Sequence, residues 1–223
     1  MDAYQKFLDR ISMAARTTLN FPRDEPVQII AHMDCDGLCA AALLCAALDA
    51  HAQNYELHIL ESPSDIPFDD YRDASLIVFC DLGASRLADI EKAYPSTDVV
   101  IIDHHRMAGR RTKPNVYLLN PNEFGIDGGR EICSSGIMYL FVHHICPEIE
   151  EHAYLALVGM IGDTQEEKEG KMHYLNSLLI DEAIRRGSLC RRRELRIFGL
   201  HVRLLHEALA ARPHTLWRYR ELL

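Results

Sequence analysis

The sequence predicts an α/β domain, a Rossmann-like and mainly parallel sheet flanked by helices, with a helical C-terminal extension. Three observations predict it. Short apolar runs at 27–31, 76–80 and 98–102 are rich in Val and Ile, as buried strands are. Stretches of helical character separate them, the pattern of βαβ units. From Cys133 onward the strand signals stop and the chain reads as helices.

Taken in order, residues 1–20 predict an amphipathic helix, with Tyr4, Phe7, Leu8, Ile11 and Ala15 at helical spacing. Pro22 and Pro26 break the chain before the first strand at 27–31. Residues 37–50 are almost all Ala, Leu and Cys, good helix formers of small volume, so this helix is expected to be buried on most sides. Strands at 56–60 and 76–80, a helix at 85–94 and a strand at 98–102 follow. A Gly-, Pro- and Asn-rich loop at 107–130 contains one short strand at 116–119. Helices are then expected at 133–146, 152–161, 174–186 and 200–211. The best boundary lies near Gly170, where the stretch Glu166-Glu167-Lys168-Glu169 ends, giving a domain over 1–170 and an extension over 171–223.

Composition narrows the class. With 48% hydrophobic and 26% charged residues, the 223-residue chain can bury an ordinary globular core. No apolar run reaches the ~20 residues of a membrane span, and residues 1–20 lack the apolar region of a secretory signal. Seven cysteines with no CxxC pair argue against a disulfide framework and a zinc ribbon, and favour a reducing, cytoplasmic setting. A net charge of −9 disfavours nonspecific coating of nucleic acid, unless bound cations offset the carboxylates.

The functional signal is positional. The run 29–31 leads into His32-Met33-Asp34-Cys35-Asp36-Gly37, the run 78–80 into Asp81, and the run 101–102 into Asp103-His104-His105. A further acid follows an apolar run in Gly159-Met160-Ile161-Gly162-Asp163. In a parallel sheet the carboxyl ends of the strands share one edge, where ligands bind. One Asp at a strand end is ordinarily a helix cap; three such ends and a His pair are not explained that way. So many carboxylates in one place would raise one another's pKa values. Divalent cations remove the conflict, and Asp and His ligands suit Mn²⁺ or Mg²⁺. Two ions ~3.5–4 Å apart clamp a phosphoryl group and activate water.

These four segments, in this order, resemble the motifs of the DHH phosphoesterase superfamily, which includes RecJ exonucleases, oligonucleotide-degrading enzymes, cyclic-dinucleotide phosphodiesterases and family II pyrophosphatases. Asn120-Pro121, Phe124-Gly125-Ile126-Asp127-Gly128, Cys133-Ser134-Ser135-Gly136 and Leu195-Arg196-Ile197-Phe198-Gly199 narrow the likeness to archaeal RecJ-like proteins, including the GINS-associated nuclease. The resemblance implies that His32, Asp34 and Asp81 hold one metal ion. Asp36, Asp81, His104 and Asp163 would hold a second, Asp81 bridging the two. His105 would contact the scissile phosphate and Asp103 would orient the histidines. In pyrophosphatases the His of the first motif stands two positions earlier, where this chain has Ile30. Ser134, Ser135 and Gly136 offer either phosphate donors or an ordinary helix cap.

The implied activity is a two-metal RecJ-like exonuclease acting on single-stranded DNA or RNA or short oligonucleotides. Two alternatives stay open: a replisome scaffold subunit that binds GINS with little turnover, and a phosphoesterase of pyrophosphate or cyclic dinucleotides. No Gly-Gly-Gly-His-type loop, with which many family members grip substrate, occurs after Asp163, so the expectation is a catalytic domain alone or one acting with a partner. Arg106, Arg110, Arg111 and Lys113 follow the His pair and are expected to bind phosphate. Arg185, Arg186, Arg191, Arg192, Arg193, Arg196 and Arg203 suit a nucleic-acid backbone or a solvated helix end equally. Cys35 is expected to point away from its neighbours in an extended segment, Cys39 and Cys45 to pack in the core, and Trp217 with Tyr219 to stack on a base or close a terminal helix.

Overall fold

A computed structural model describes residues 2–20, 24–71, 74–167 and 171–192, with Leu204, His206 and Glu207 beyond them. The chain divides into two compact units, Met1–Leu189 and Cys190–Leu223. The first holds a sheet of five strands: β1 (Val27–His32), β2 (Tyr55–Leu60), β3 (Leu76–Cys80), β4 (Asp98–Ile102) and β5 (Val116–Leu119). Their order is β2-β1-β3-β4-β5 and every pairing is parallel. Among the described residues six α-helices accompany it: α1 (Ala3–Thr18), α2 (Cys35–Ala50), α3 (Leu87–Ala93), α4 (Ser134–His143), α5 (Ala153–Gly162) and α6 (Tyr174–Arg186). The expected Rossmann-like α/β fold is the observed one.

The central strands are fully buried, β3 along its whole length, because helices cover both faces. On one side Ile29, Ala31, Val78, Val100 and Ile102 pack with Phe7, Leu43, Leu44 and Phe141 of α1, α2 and α4. On the other, Ile30, Ile77, Phe79 and Ile101 pack with Leu87, Ile90 and Tyr94 around α3. The alternation of odd and even residues between these clusters follows the two-residue period of a strand. Because α2 is apolar all round, it is buried between the sheet and α5, as its composition predicts.

Two local expectations need correction. The helix read over 85–94 begins as a 3₁₀ turn at Ala84–Arg86, entered through Gly83 at φ 115°, and only then becomes α3. Cys35 is not in an extended segment. It opens α2, and its thiol donates to Val158 O at 3.5 Å. All seven cysteines are free thiols, with Cys39 buried and Cys45 half-buried against the core. Arg185 and Arg186 pair with Glu182, and Arg186 also with Glu150, so they close the end of α6 as a solvated helix terminus does. Arg191 and Arg192 are exposed. Arg193, Arg196, Arg203, the segment 195–199, the pair Trp217 and Tyr219, and most of the helix expected at 200–211 lie outside the described residues. Among the described residues, no helix is long and apolar enough to cross a membrane.

Candidate metal centre

The parallel topology delivers the acids to one place. β1, β3 and β4 are neighbours, so the residues that follow them, at 32–36, 81 and 103–105, emerge side by side at the carboxyl edge. Asp34 caps α2: its Oδ1 accepts from Gly37 N at 2.9 Å, while Oδ2 turns to within 2.9 Å of His32 Nδ1. Gly37 has to be glycine, since a Cβ there would lie 2.4 Å from His32 O. Asp36 enters the first turn of α2 and is 1% exposed. Asp81 sits in the left-handed region at φ 64°, a conformation Asp tolerates better than most residues. Its N–H still extends the ladder by donating to Ile102 O.

Asp81 is the shared member of two groups. His32, Asp34 and Asp81 bring one ligand atom each within 4.8 Å of one another, and so do Asp81, His104 and His105. His32 Nδ1 lies 3.4 Å from Asp81 Oδ2. His104 Nε2 lies 3.4 Å from Asp81 Oδ1, 3.7 Å from Asp163 Oδ2 and 3.8 Å from Asp36 Oδ2. Of the residues that the sequence nominated as ligands, His32, Asp34, Asp81 and His104 lie in these two groups, while Asp36 and Asp163 stand beside them through their approach to His104 Nε2.

A test of fit for metal comes from unsatisfied atoms. His32 Nδ1, Asp81 Oδ2 and His104 Nε2 are buried and make no well-aligned hydrogen bond, although carboxylate oxygens lie 2.9 Å from His32 Nδ1 and 3.4 Å from His104 Nε2. A buried polar atom without a partner costs about 1–3 kcal/mol, and here three converge. A divalent ion would satisfy them, and carboxylate oxygens with imidazole nitrogens are the donors Mn²⁺ and Mg²⁺ accept. His104 is set for this part by its other nitrogen: Nδ1 donates to Gly128 O at 2.7 Å, which leaves Nε2 bare for a ligand.

Electrostatics agree. Burial, with the negative charge of Asp36 and Asp34, holds the Asp81 carboxyl above its ordinary range. Burial also raises Asp163. His104 is pushed down by burial, but the carboxylates of Asp81, Asp36 and Asp163 override this and raise it. Without a cation the cluster therefore retains protons that a metal would displace. Burial would raise Asp34 as well, yet the Gly37 N–H and the charge of His32 hold it low.

Asp103 has a different post. It is buried, takes N–H bonds from Ala84 and His105, and accepts from His105 Nδ1 at 2.9 Å. Burial notwithstanding, these partners keep it below the usual carboxylate range. Its hydrogen bond raises the pKa of His105, whose side chain is 52% exposed and has Nε2 free to face a ligand.

Ser134, Ser135 and Gly136 require correction as phosphate donors. The N–H groups of Ser134 and Ser135 both donate to Asp36, at 2.7 and 2.9 Å. Ser134 Oγ donates to Asp81 Oδ1 at 2.8 Å, and Ser135 Oγ to Ala156 O at 3.2 Å. Both serines are fully buried, and Gly136 packs on Ile132 and Met160. The N-terminus of α4 thus uses its donors to hold two candidate ligands. Each carboxylate oxygen keeps a second lone pair for a metal. Arg106 and Arg110 are exposed on the loop after His105, and Arg111 folds back to Lys113 O.

Sequence reasoning missed the framework behind the ligands. Asn120 and Asn122 donate to His105 O and His104 O, both at 2.8 Å, and fasten the His pair. Gln165 Nε2 donates to Gly128 O and to Asp163 Oδ2, both at 2.8 Å, while its Oε1 accepts from the buried Asn176 at 2.7 Å. The motifs around Asn120 and Gly128 carry no role that the sequence alone discloses, and Gln165 and Asn176 carry no local signal.

Comparison with known proteins follows these lines. An uncharacterised protein of Methanocaldococcus jannaschii, MJ0831, is 29% identical over 164 residues, 70% of this chain and 36% of that protein. A crystal structure of exonuclease RecJ bound to manganese superposes with a TM-score of 0.61 at 20% identity, covering 79% of this chain and 47% of that one. CDC45 from Entamoeba histolytica superposes with a TM-score of 0.58 at 13% identity, covering 85% and 39%. The chain thus spans between about a third and a half of the length of these relatives. At such identities the two solved structures share its fold. The model of the N-terminal domain of the DHH family matches residues 26–161, more than half of the chain and every candidate ligand of the centre except Asp163. The chain belongs to the DHH family.

Proposed function

We propose that the chain is the catalytic part of a two-metal phosphoesterase that hydrolyses phosphodiester bonds in single-stranded nucleic acid or short oligonucleotides, as a RecJ-like exonuclease. The observation that carries this reading is the convergence of three buried, unpartnered ligand atoms on Asp81. A metal-dependent ester hydrolase needs such a site, and a RecJ of the same fold holds manganese.

His32, Asp34 and Asp81 would hold one Mn²⁺ or Mg²⁺; Asp36, Asp81, His104 and Asp163 would hold the other. Bound there, the two ions supply charge neutralisation at the phosphate and acidify a water enough for attack. The chain's own residues do the rest. Asp103 fixes the ring of His105 through Nδ1, so that Nε2 presents a donor to a phosphate oxygen. Asp103 also raises the pKa of that ring and keeps it charged as negative charge grows on the phosphate. Gly128 O and Gln165 hold His104 and Asp163 in register, which limits reorganisation during the reaction. Arg106, next in the chain and exposed, adds a cation beside the centre.

A second reading, an assembly subunit with little turnover that binds a partner such as GINS, draws on the fold shared with CDC45. The unsatisfied ligand atoms favour catalysis over it, because a pure scaffold has no use for them. The test is hydrolysis of a 5′-labelled single-stranded oligonucleotide with Mn²⁺ by wild type and by Asp81→Ala. Cleavage by wild type alone supports the reading. Metal-independent capture of GINS without cleavage by either protein would replace it with the scaffold, and cleavage of pyrophosphate or a cyclic dinucleotide alone with the small-molecule reading.

A further inference from the structure

A groove of about 550 Å³ lies between α3 and the loop that follows the His pair, lined among others by Leu87, Glu91, Lys92, Ala108, Arg110 and Lys113. Its course follows from the topology. The loop leaves β4 at the carboxyl edge of the sheet and must reach the opposite edge to start the parallel strand β5. It descends beside α3, whose seven residues run about 10 Å at 1.5 Å each. At the upper end Ala108 N donates to Ala84 O, and Ala84 N donates to Asp103, so two hydrogen bonds join the groove to the residue that orients His105. At the lower end Asn115 O accepts from Val99 N, at the start of β4.

The groove is built and basic. Glu91 is its one acid, and that carboxylate fastens the loop to α3: Oε1 accepts from the N–H groups of Thr112 and Lys113, and Oε2 from the Thr112 hydroxyl. Arg111 secures the same turn through Lys113 O. By contrast, Lys92, Arg110 and Lys113 join no ion pair among the described residues, on a chain whose net charge is −9. Three cations on the two sides of the groove, Lys92 on α3 and Arg110 and Lys113 on the facing loop, outnumber its one acid, Glu91, in an otherwise acidic protein and are a complement to a polyanion.

We infer that this groove is a second, non-catalytic contact surface for the substrate strand, with Lys92, Arg110 and Lys113 taking successive backbone phosphates beyond the one at the metal centre. A length of about 10 Å accommodates about three phosphates at the ~3.4 Å axial spacing of a stacked strand. With no base-reading groups required of it, the contact is independent of sequence. The inference rests on the phosphodiesterase reading and names where the rest of the strand lies.

The test is fluorescence anisotropy with a labelled single-stranded 12-nucleotide probe, in Ca²⁺ to separate binding from cleavage, for wild type and for Lys92→Ala/Arg110→Ala/Lys113→Ala. Affinity is expected to fall at least tenfold. The dependence of log affinity on log salt should flatten by about 2, at ~0.7 per phosphate contact on a single strand. A probe with neutral methylphosphonate linkages should bind wild type as weakly as the triple variant binds the charged probe. Affinities within twofold, with equal salt slopes, overturn the inference. So does polyglutamate that displaces the probe from the groove at equal charge, since the groove would then fit an acidic protein. Hydrolysis of a dinucleotide by wild type is scored separately: its absence defeats the phosphodiesterase reading, whereas its presence without cation-dependent probe binding defeats the groove alone.

Discussion

Replacing Gln165 by Met keeps the length of the side chain and removes its hydrogen bonds. Two donors are lost, one to Gly128 O and one to the Asp163 carboxylate, together with the acceptor for Asn176. A bond to a charged group contributes about 1.5–3 kcal/mol and a neutral one about 0.5–1.5. The variant should therefore lose roughly 2.5–6 kcal/mol of stability, read by urea unfolding at pH 7. The larger consequence is for metal. Gly128 O fixes the tautomer of His104, and Gln165 fixes both that carbonyl and Asp163, so one residue orients two ligands of one ion. Loss of such a partner weakens metal binding about 10- to 100-fold. Mn²⁺ titration followed by electron paramagnetic resonance should show one ion weakened by that factor, with the ion at His32 and Asp34 little changed. Asn176→Leu, which leaves Gln165 in place but unanchored, should fall between. A folded Gln165→Met protein with both Mn²⁺ affinities within twofold of wild type would refute the reasoning.

Other perturbations follow from the same geometry. A Cβ at Gly159 would lie 2.1 Å from Ser135 Oγ and 2.7 Å from Asp36 Oδ1, so Gly159→Ala should destabilise by about 1–3 kcal/mol in urea unfolding and weaken Mn²⁺ binding, because α5 must move away from Asp36. Glu91 is pushed up by burial but held below its usual pKa by the Thr112 and Lys113 donors, so its stabilisation is complete above the unfolded value of about 4.3 and is lost as pH falls through the lower folded value. Glu91→Gln should accordingly be less stable than wild type at pH 6, with the gap closing below about pH 4 in a pH series of thermal unfolding.

The fold was legible because its signals are local. Four of the strands are short runs rich in Val, Ile and Leu that need no partner to be read, β2 mixes polar and apolar residues at the sheet edge, and α2 announces itself by composition. The candidate site was legible for a related reason: Asp34, Asp36, Asp81, Asp103 and the His pair stand at or just after strand ends, and parallel topology brings strand ends together. What stayed hidden joins distant parts of the chain. Asp36 accepts from Ser134 and Ser135, 98 and 99 residues away, so a sequence that suggests an open helix N-terminus conceals one already filled. Gln165 and Asn176 reach the centre only through the packing of the segment after α5 against the loop at Gly128. Cys35 was misplaced because the turn of α2 starts directly at the Asp34 cap, two residues before the glycine that seemed to mark it.

On the proposed reading, Asp81 serves two metal ions at once. Counting Mn²⁺ bound per chain, by electron paramagnetic resonance of wild type and Asp81→Asn, tests it most directly. Two ions in wild type, magnetically coupled, and the loss of both in a folded Asp81→Asn protein are the predicted result. Two ions retained by Asp81→Asn, or a single ion in wild type, would contradict it.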